Sequence, residues 1–237
     1  MRRKLFWLFP IVILTTASAA PLCLTGSLAS YEALSGGCSV GSVTYSGFNF
    51  GSAGSVVLTA NQIQVQVVSN GSGDGLSFSG PFTVGAGSSL DALISFMISA
   101  SALTGQTLTM QNPVVTGGGL AMAVESACQG TFSGGSCSGA TQSLDVSATS
   151  SGSNTSASIT FPSGTTTASI TKNIILEGGS AGTSSGASIQ SITDINSSNG
   201  AGGPGGGPVP EPDTLVMMLG GALVAAALVM RRSRARS

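Results

Sequence analysis

Two overlapping stretches, Gly178-Gly179-Ser180-Ala181-Gly182 and Gly182-Thr183-Ser184-Ser185-Gly186, carry the Gly-x-Ser-x-Gly spacing that exposes a serine nucleophile on a sharp strand-to-helix turn. That chemistry needs a base, and the chain has no histidine. With 35 glycines and abundant serine, composition alone produces the spacing, so no catalytic residue is expected. A serine–lysine pair would have to use Lys172, and no partner serine stands out. Asn70, Ser72, Asp74 and Gly75 follow the first half of a calcium loop, but Pro81 occupies the twelfth position, where a bidentate acid belongs. The stretch reads as a tight turn, and neither a metal site nor a cofactor is expected.

Cys23, Cys38, Cys128 and Cys137 are the remaining reactive side chains. An even number in an exported chain argues for disulfides. Three connectivities are open, and loop closure favours Cys23–Cys38 and Cys128–Cys137, each pair closing a short Gly/Ser-rich loop worth about 2–3 kcal/mol. Zinc would require a Cys-x-x-Cys pair or histidine, and the chain has neither.

The two ends decide where this chemistry takes place. Arg2, Arg3 and Lys4 precede an apolar stretch, Leu5 to Leu14, and then the small-residue box Ala17-Ser18-Ala19, the order of a secretory signal peptide with Ala20 as mature start. Pro21-Leu22 before Cys23 excludes lipid attachment, which wants a small residue there. At the other end Val209-Pro210-Glu211-Pro212 precedes an apolar run from Leu215 to Met230, followed by Arg231, Arg232, Arg234 and Arg236. That run reaches roughly 24 Å as a helix, at the short end of what spans a ~30 Å hydrocarbon core. The arginines resist translocation and keep the C-terminus cytoplasmic. The prolines hold the segment before the span extended.

Val209, Pro210, Glu211 and Pro212, the short apolar helix and the arginine tail together resemble the PEP-CTERM sorting signal of Gram-negative bacteria. The resemblance implies recognition by an exosortase, a membrane-embedded cysteine transpeptidase-like enzyme, with removal of the tail during export. It covers about Val209 to Ser237 and implies nothing about the fold of the rest.

Between Ala20 and Pro210 only Lys172 is basic, against Glu32, Asp74, Asp91, Glu125, Asp145, Glu177 and Asp194, a net charge of −6. Nucleic acid is excluded as a partner, since phosphate neutralisation needs clustered Lys and Arg. The surface must be built from Ser, Thr, Gly, Asn and Gln, which hydrates well and repels itself weakly. The triplets at Asn70, Asn154 and Asn196 match the glycosylation pattern, as this composition allows by chance.

Strict alternation at Ile63–Val67, Leu144–Ala148 and Ala157–Phe161 predicts half-buried strands. Further strands are expected at Ser42–Phe50, Ser55–Leu58, Leu76–Phe78, Phe82–Val84, Leu93–Ile98, Thr107–Met110, Leu120–Val124, Ala168–Thr171 and Ile174–Leu176. Over Leu90–Ala102 a helical stripe of Leu93, Ile94, Met97 and Ile98 competes, with β-branched and aromatic content favouring strand. Turns are expected at 70–75, 117–119 and 162–164. From Gly178 the pattern thins, with one last strand or turn around Ile189, Ile192 and Ile195.

The expected organisation is a signal peptide (1–19), an exported antiparallel β-sandwich (20–196), a Gly/Pro-rich linker (197–208) and the sorting signal (209–237) with a single transmembrane helix at 215–230. The expected function is structural or adhesive, at the cell surface or in the extracellular matrix, without catalysis. Expected partners are the general secretion machinery, the exosortase, the membrane before processing, and extracellular polysaccharide. A carbohydrate-binding module is the rival reading and a secreted hydrolase a distant third. Sugar binding would want exposed aromatics, yet Trp7 leaves with the signal peptide and Tyr31 and Tyr45 are the only tyrosines.

Overall fold

The computed structural model describes residues 20–71, 73–133 and 136–199. In chain order the strands are β1 (Gly26–Ser27), β2 (Cys38–Val40), β3 (Val43–Gly54), β4 (Gln64–Asn70), β5 (Gly73–Ser79), β6 (Thr83–Gly85), β7 (Ser89–Ser99), β8 (Leu103–Gln111) and β9 (Val114–Thr116). The second half supplies β10 (Leu120–Cys128), β11 (Phe132–Ser133), β12 (Ser136–Cys137), β13 (Thr141–Thr149), β14 (Gly152–Asn154), β15 (Ser156–Thr160), β16 (Thr167–Glu177), β17 (Gly186–Ser188) and β18 (Ser191–Ser198). A five-residue helix, α1 (Leu28–Glu32), follows β1. Among the described residues no helix is long and apolar enough to cross a membrane. The expected signal peptide (1–19) and transmembrane helix (215–230) lie outside the described residues.

Two antiparallel sheets face each other. One has the order β14-β13-β10-β16-β7-β3-β2 and the other β1-β4-β5-β18-β8-β15. β7 obeys the two-residue period: Leu90, Ala92, Ile94, Phe96 and Ile98 are buried while Leu93 and Met97 face out. The helical stripe therefore splits between two faces. Rings meet across the interior, with Phe78 of the six-stranded sheet stacked 5.8 Å from Phe96 of the seven-stranded one.

The register of β3 on β7 shifts between Ser46 and Asn49, where Gly47 takes φ of 64°. This bulge turns Phe48 inward against Tyr31 and Phe96. A small third sheet, β6-β17-β9, and the hairpin β11-β12 complete the strand set among the described residues.

Several expectations need correction. Ser55–Leu58 is not a strand: it carries the chain from β3 in one sheet toward β4 in the other, tied back by the Val56 amide on the Ser89 carbonyl at 2.9 Å and the Leu58 amide on Ser52 Oγ at 3.1 Å. Ala168–Thr171 and Ile174–Leu176 are one continuous strand, β16, running through Lys172. The segment around Ile192 and Ile195 is a central strand, β18, paired with both β5 and β8 and continuing to Ser198, two residues into the stretch read as linker.

Candidate functional site

The middle of the sandwich is not apolar. In β16, Ala168, Ile170, Lys172, Ile174 and Leu176 share the inward face, so the alternation that buries the isoleucines also buries the lysine. Its cross-strand neighbour on β10 is Glu125, in a row that otherwise reads Ala121, Ala123 and Ala127. Those alanines leave room for the long side chains. From the facing sheet β18 contributes Asp194, set between Leu76 and Leu108. Lys172, Glu125 and Asp194 all have 0% exposed side chains.

The Lys172 Nζ donates to Glu125 Oε2 and, at 2.5 Å, to Asp194 Oδ1, tying the two sheets together. The Phe78 ring lies 5.9 Å from the same nitrogen. Close approach of β5 to β18 here depends on Gly75, where a Cβ would come within 1.8 Å of the Asp194 carbonyl oxygen.

Beside this cluster lies a second polar layer. Asn196 is paired with Asp74 on β5 and Gln106 on β8, and its Nδ2 donates to the Tyr45 hydroxyl at 3.0 Å. Tyr45, on β3 of the opposite sheet, donates in turn to the Asp74 carbonyl at 2.9 Å. Both polar atoms of Gln106, together with Glu125 Oε1, Asp194 Oδ2 and Asn196 Oδ1, find no hydrogen-bond partner among the described residues. The interior thus combines high charge with incomplete polar satisfaction, a costly arrangement in a low-dielectric setting.

The electrostatics follow from burial. Desolvation, reinforced by the Asp194 charge and opposed by Lys172, pushes the Glu125 carboxyl up to about 8, so it holds a proton at neutral pH. Lys172 is raised: burial works against its charge, but the two carboxyls on its ammonium more than offset that. Burial raises the Tyr45 hydroxyl as well.

The residues singled out from sequence are placed differently. Ser180 and Ser184 lie exposed in the loop joining β16 to β17, a strand-to-strand connection instead of the strand-to-helix turn that a nucleophile elbow requires. Asp74 stands inside β5 and accepts from Ser69 Oγ at 2.7 Å, so the calcium-like stretch is a β4–β5 hairpin. Cys23–Cys38 and Cys128–Cys137 are the disulfides, the first pinning the N-terminal segment to β2 and the second closing the loop that carries β11 and β12. Asn196 is fully buried and inaccessible to a glycan. Ala20 is the first described residue; Ala17, Ala19, the motif at 209–212 and the arginines 231, 232, 234 and 236 fall outside the described residues.

Sequence reasoning missed the ionic cluster. Lys172 interrupts an apolar alternation, Ile170-x-Lys172-x-Ile174-x-Leu176, and that pattern was the available signal.

Open clefts lie along the surface of the described residues. One of about 510 Å³ is lined by Pro113–Val115 and residues 148–153. A second of about 260 Å³ lies along Pro21–Gly26 beside Tyr31, and a third of about 280 Å³ along Ser95–Met97, Phe132 and Ser169–Thr171. None is lined by a carboxylate, lysine or arginine. Both tyrosines are buried, and the phenylalanines of the described body are buried or half-buried.

The chain carries a PEP-CTERM protein-sorting motif at residues 208–234. No curated protein matches it. Among solved structures it is similar to the carbohydrate-binding module TmCBM61 in complex with β-1,4-galactotriose, at 14% identity and a TM-score of 0.32, covering 62% of this chain and 87% of that one. It is also similar to the enzymatically active domain of bacteriophage CBA120 tailspike protein 4, at 13% identity and a TM-score of 0.28, covering 62% of this chain and 19% of that one.

Proposed function

We propose that the chain is exported through its signal peptide and held transiently by its C-terminal helix. An exosortase then sorts it, and the β-sandwich serves as a structural or adhesive element at the outer surface or in the extracellular matrix, with no catalysis of its own. The sorting motif at 208–234 carries this reading. The body agrees with it. Its single lysine is sealed inside, so the accessible titratable groups of the described surface are acids amid serine, threonine and glycine. Two disulfides suit an oxidising destination. Sugar recognition by ring stacking finds no exposed aromatic platform among the described residues, and the serines in the Gly-x-Ser-x-Gly stretches lack both the elbow and a histidine.

Mass spectrometry of the extracellular fraction tests the reading. The mature protein is expected to begin near Ala20 and to yield no peptide beyond about Asp213. Exported material that retains Arg231–Ser237 would overturn the sorting step.

A further inference from the structure

The Lys172, Glu125 and Asp194 cluster is sealed from solvent and joins two sheets, and nothing in the sorting reading requires it. A buried ion pair with a spare carboxyl is an expensive way to hold a core together, because apolar side chains of similar volume serve as well or better. The same three groups are, however, the components of an amide condensation: an amine, a carboxyl electrophile within contact distance, and a second carboxyl touching the amine.

We propose that Lys172 and Asp194 condense in the folded protein, forming an amide between Nζ and Cγ with Glu125 carrying the protons, so that the two sheets are joined covalently. The starting state is the Lys172 ammonium, the Asp194 carboxylate and the Glu125 carboxylic acid. Glu125 gives its proton to Asp194 and takes one from Lys172, leaving a neutral amine facing a neutral carboxylic acid. Nζ attacks Cγ. Glu125 then protonates the departing hydroxyl and recovers a proton from the positively charged Nζ. The Cγ–O bond breaks, one water leaves, and Glu125 ends protonated as it began. No oxidant, metal or cofactor enters the balance.

Three features favour this step here over the same groups in water. Nζ already lies 2.5 Å from Asp194 Oδ1, so the entropy of bringing the partners together is spent on folding. Burial keeps Glu125 protonated near neutral pH, which makes a proton available to the leaving oxygen. The product is a neutral amide in place of two desolvated charges, and the released water passes from an apolar interior to bulk. Both carboxyls touch Nζ, and Asp194 is the electrophile because Glu125, held protonated by burial, is the one able to carry protons. Glu125 and Lys172 are already held side by side in one sheet, whereas a bond to Asp194 ties β16 to β18 across the core.

Lys172 is the only tryptic site between Ala20 and Pro210, which makes the test direct. The full chain, unfolded in denaturant and reduced, is treated with trypsin. The unlinked body separates into two pieces at Lys172. The linked body stays in one piece on a denaturing gel, because an acylated lysine is not cut. Both disulfides lie N-terminal to Lys172 and cannot mimic the result. A second digest with chymotrypsin should contain a branched peptide joining Lys172 to Asp194, lighter by one water than its two chains.

The conservative variant Glu125→Gln should fold and cleave normally with trypsin, its lysine unmodified. Asp194→Ala should do the same. Free Lys172 in the wild-type protein, a branch on Glu125, or full cross-linking in Glu125→Gln would overturn the proposal. The readout uses body peptides only, so it is independent of whether the tail is processed.

Discussion

Two neighbouring rows of the same inner face do opposite things. In one, Ala123, Ile174 and Ala92 stand side by side on β10, β16 and β7, and in the next Glu125, Lys172 and Ile94 occupy the same strands two residues along. On the far side of the ionic row lie Ala127, Ile170 and Phe96. The apolar rows gain from every methylene removed from water and lose in proportion to what is cut away. The ionic row is different in kind, since its members are tolerable only together. Backbone geometry is the same in both, so the difference lies wholly in side-chain chemistry.

The largest effect should come from breaking the ionic row on one side only. Lys172→Ala strands two buried carboxyls without their cation and should cost about 3–5 kcal/mol in denaturant unfolding. Ile174→Ala, one row along, removes only apolar atoms and should cost about 3 kcal/mol by transfer and cavity terms. The contrast sharpens with pH. The Lys172→Ala loss should change with pH, because the variant leaves buried carboxyls without their cation, while the Ile174→Ala loss should stay constant. Parallel pH dependence in the two variants would show that the rows do not differ as described.

The same contrast explains what was legible beforehand. Apolar alternation marked the strands whose inner faces are wholly hydrophobic, such as Leu144–Ala148, and mainly missed their ends. It failed where polar residues occupy inward positions. Lys172-Asn173 looked like a break between two strands because a lysine at a core position has no local explanation, and its partners lie 47 and 22 residues away. Strand β18 reads from sequence as either a strand or a turn for the same reason, since Asp194 and Asn196 sit inward among its isoleucines. The helix α1 gave no advance signal either. Its five residues are held by tertiary contact, through the Leu28 amide on the Ile63 carbonyl at 2.8 Å and the Tyr31 hydroxyl on the Leu24 carbonyl at 2.7 Å. The disulfides and sorting tail were readable because short spacing and motif order need no fold.

A smaller effect probes the polar layer beside the cluster. Tyr45→Phe keeps the ring contact with Phe96 but removes the hydroxyl that donates to the Asp74 carbonyl and accepts from Asn196. Leaving those groups unpaired should cost about 1–2 kcal/mol, read as a lower urea midpoint at unchanged slope. A change in slope would mean that the layer sets the compactness of the fold as well as its stability.

The smallest effect at mildly acidic pH, and the most informative across pH, should come from Glu125→Gln, compared with wild-type protein in which Lys172 and Asp194 are not yet joined. A protonated glutamic acid and a glutamine are nearly the same shape, and the amide oxygen can still accept from Lys172, so at pH 5 the two melting temperatures should lie close together. The pH profile then separates them. Glu125 is raised from an ordinary 4.5 to about 8, with burial the largest cause, so between those values the folded state holds a proton that the unfolded chain has lost. Unfolding then releases a proton, and stability falls as pH climbs through that window, being complete below about 4.5. The groups facing Glu125 are Lys172 on its own sheet and Asp194 from the opposite one, and Lys172 stays charged throughout this range, so neither reverses the slope. The wild-type protein should therefore melt at progressively lower temperature from pH 5 to pH 8, and Glu125→Gln should remove most of that decline. A variant that tracks the wild-type curve would place the titrating group elsewhere and would remove Glu125 as the neutral acid of the core.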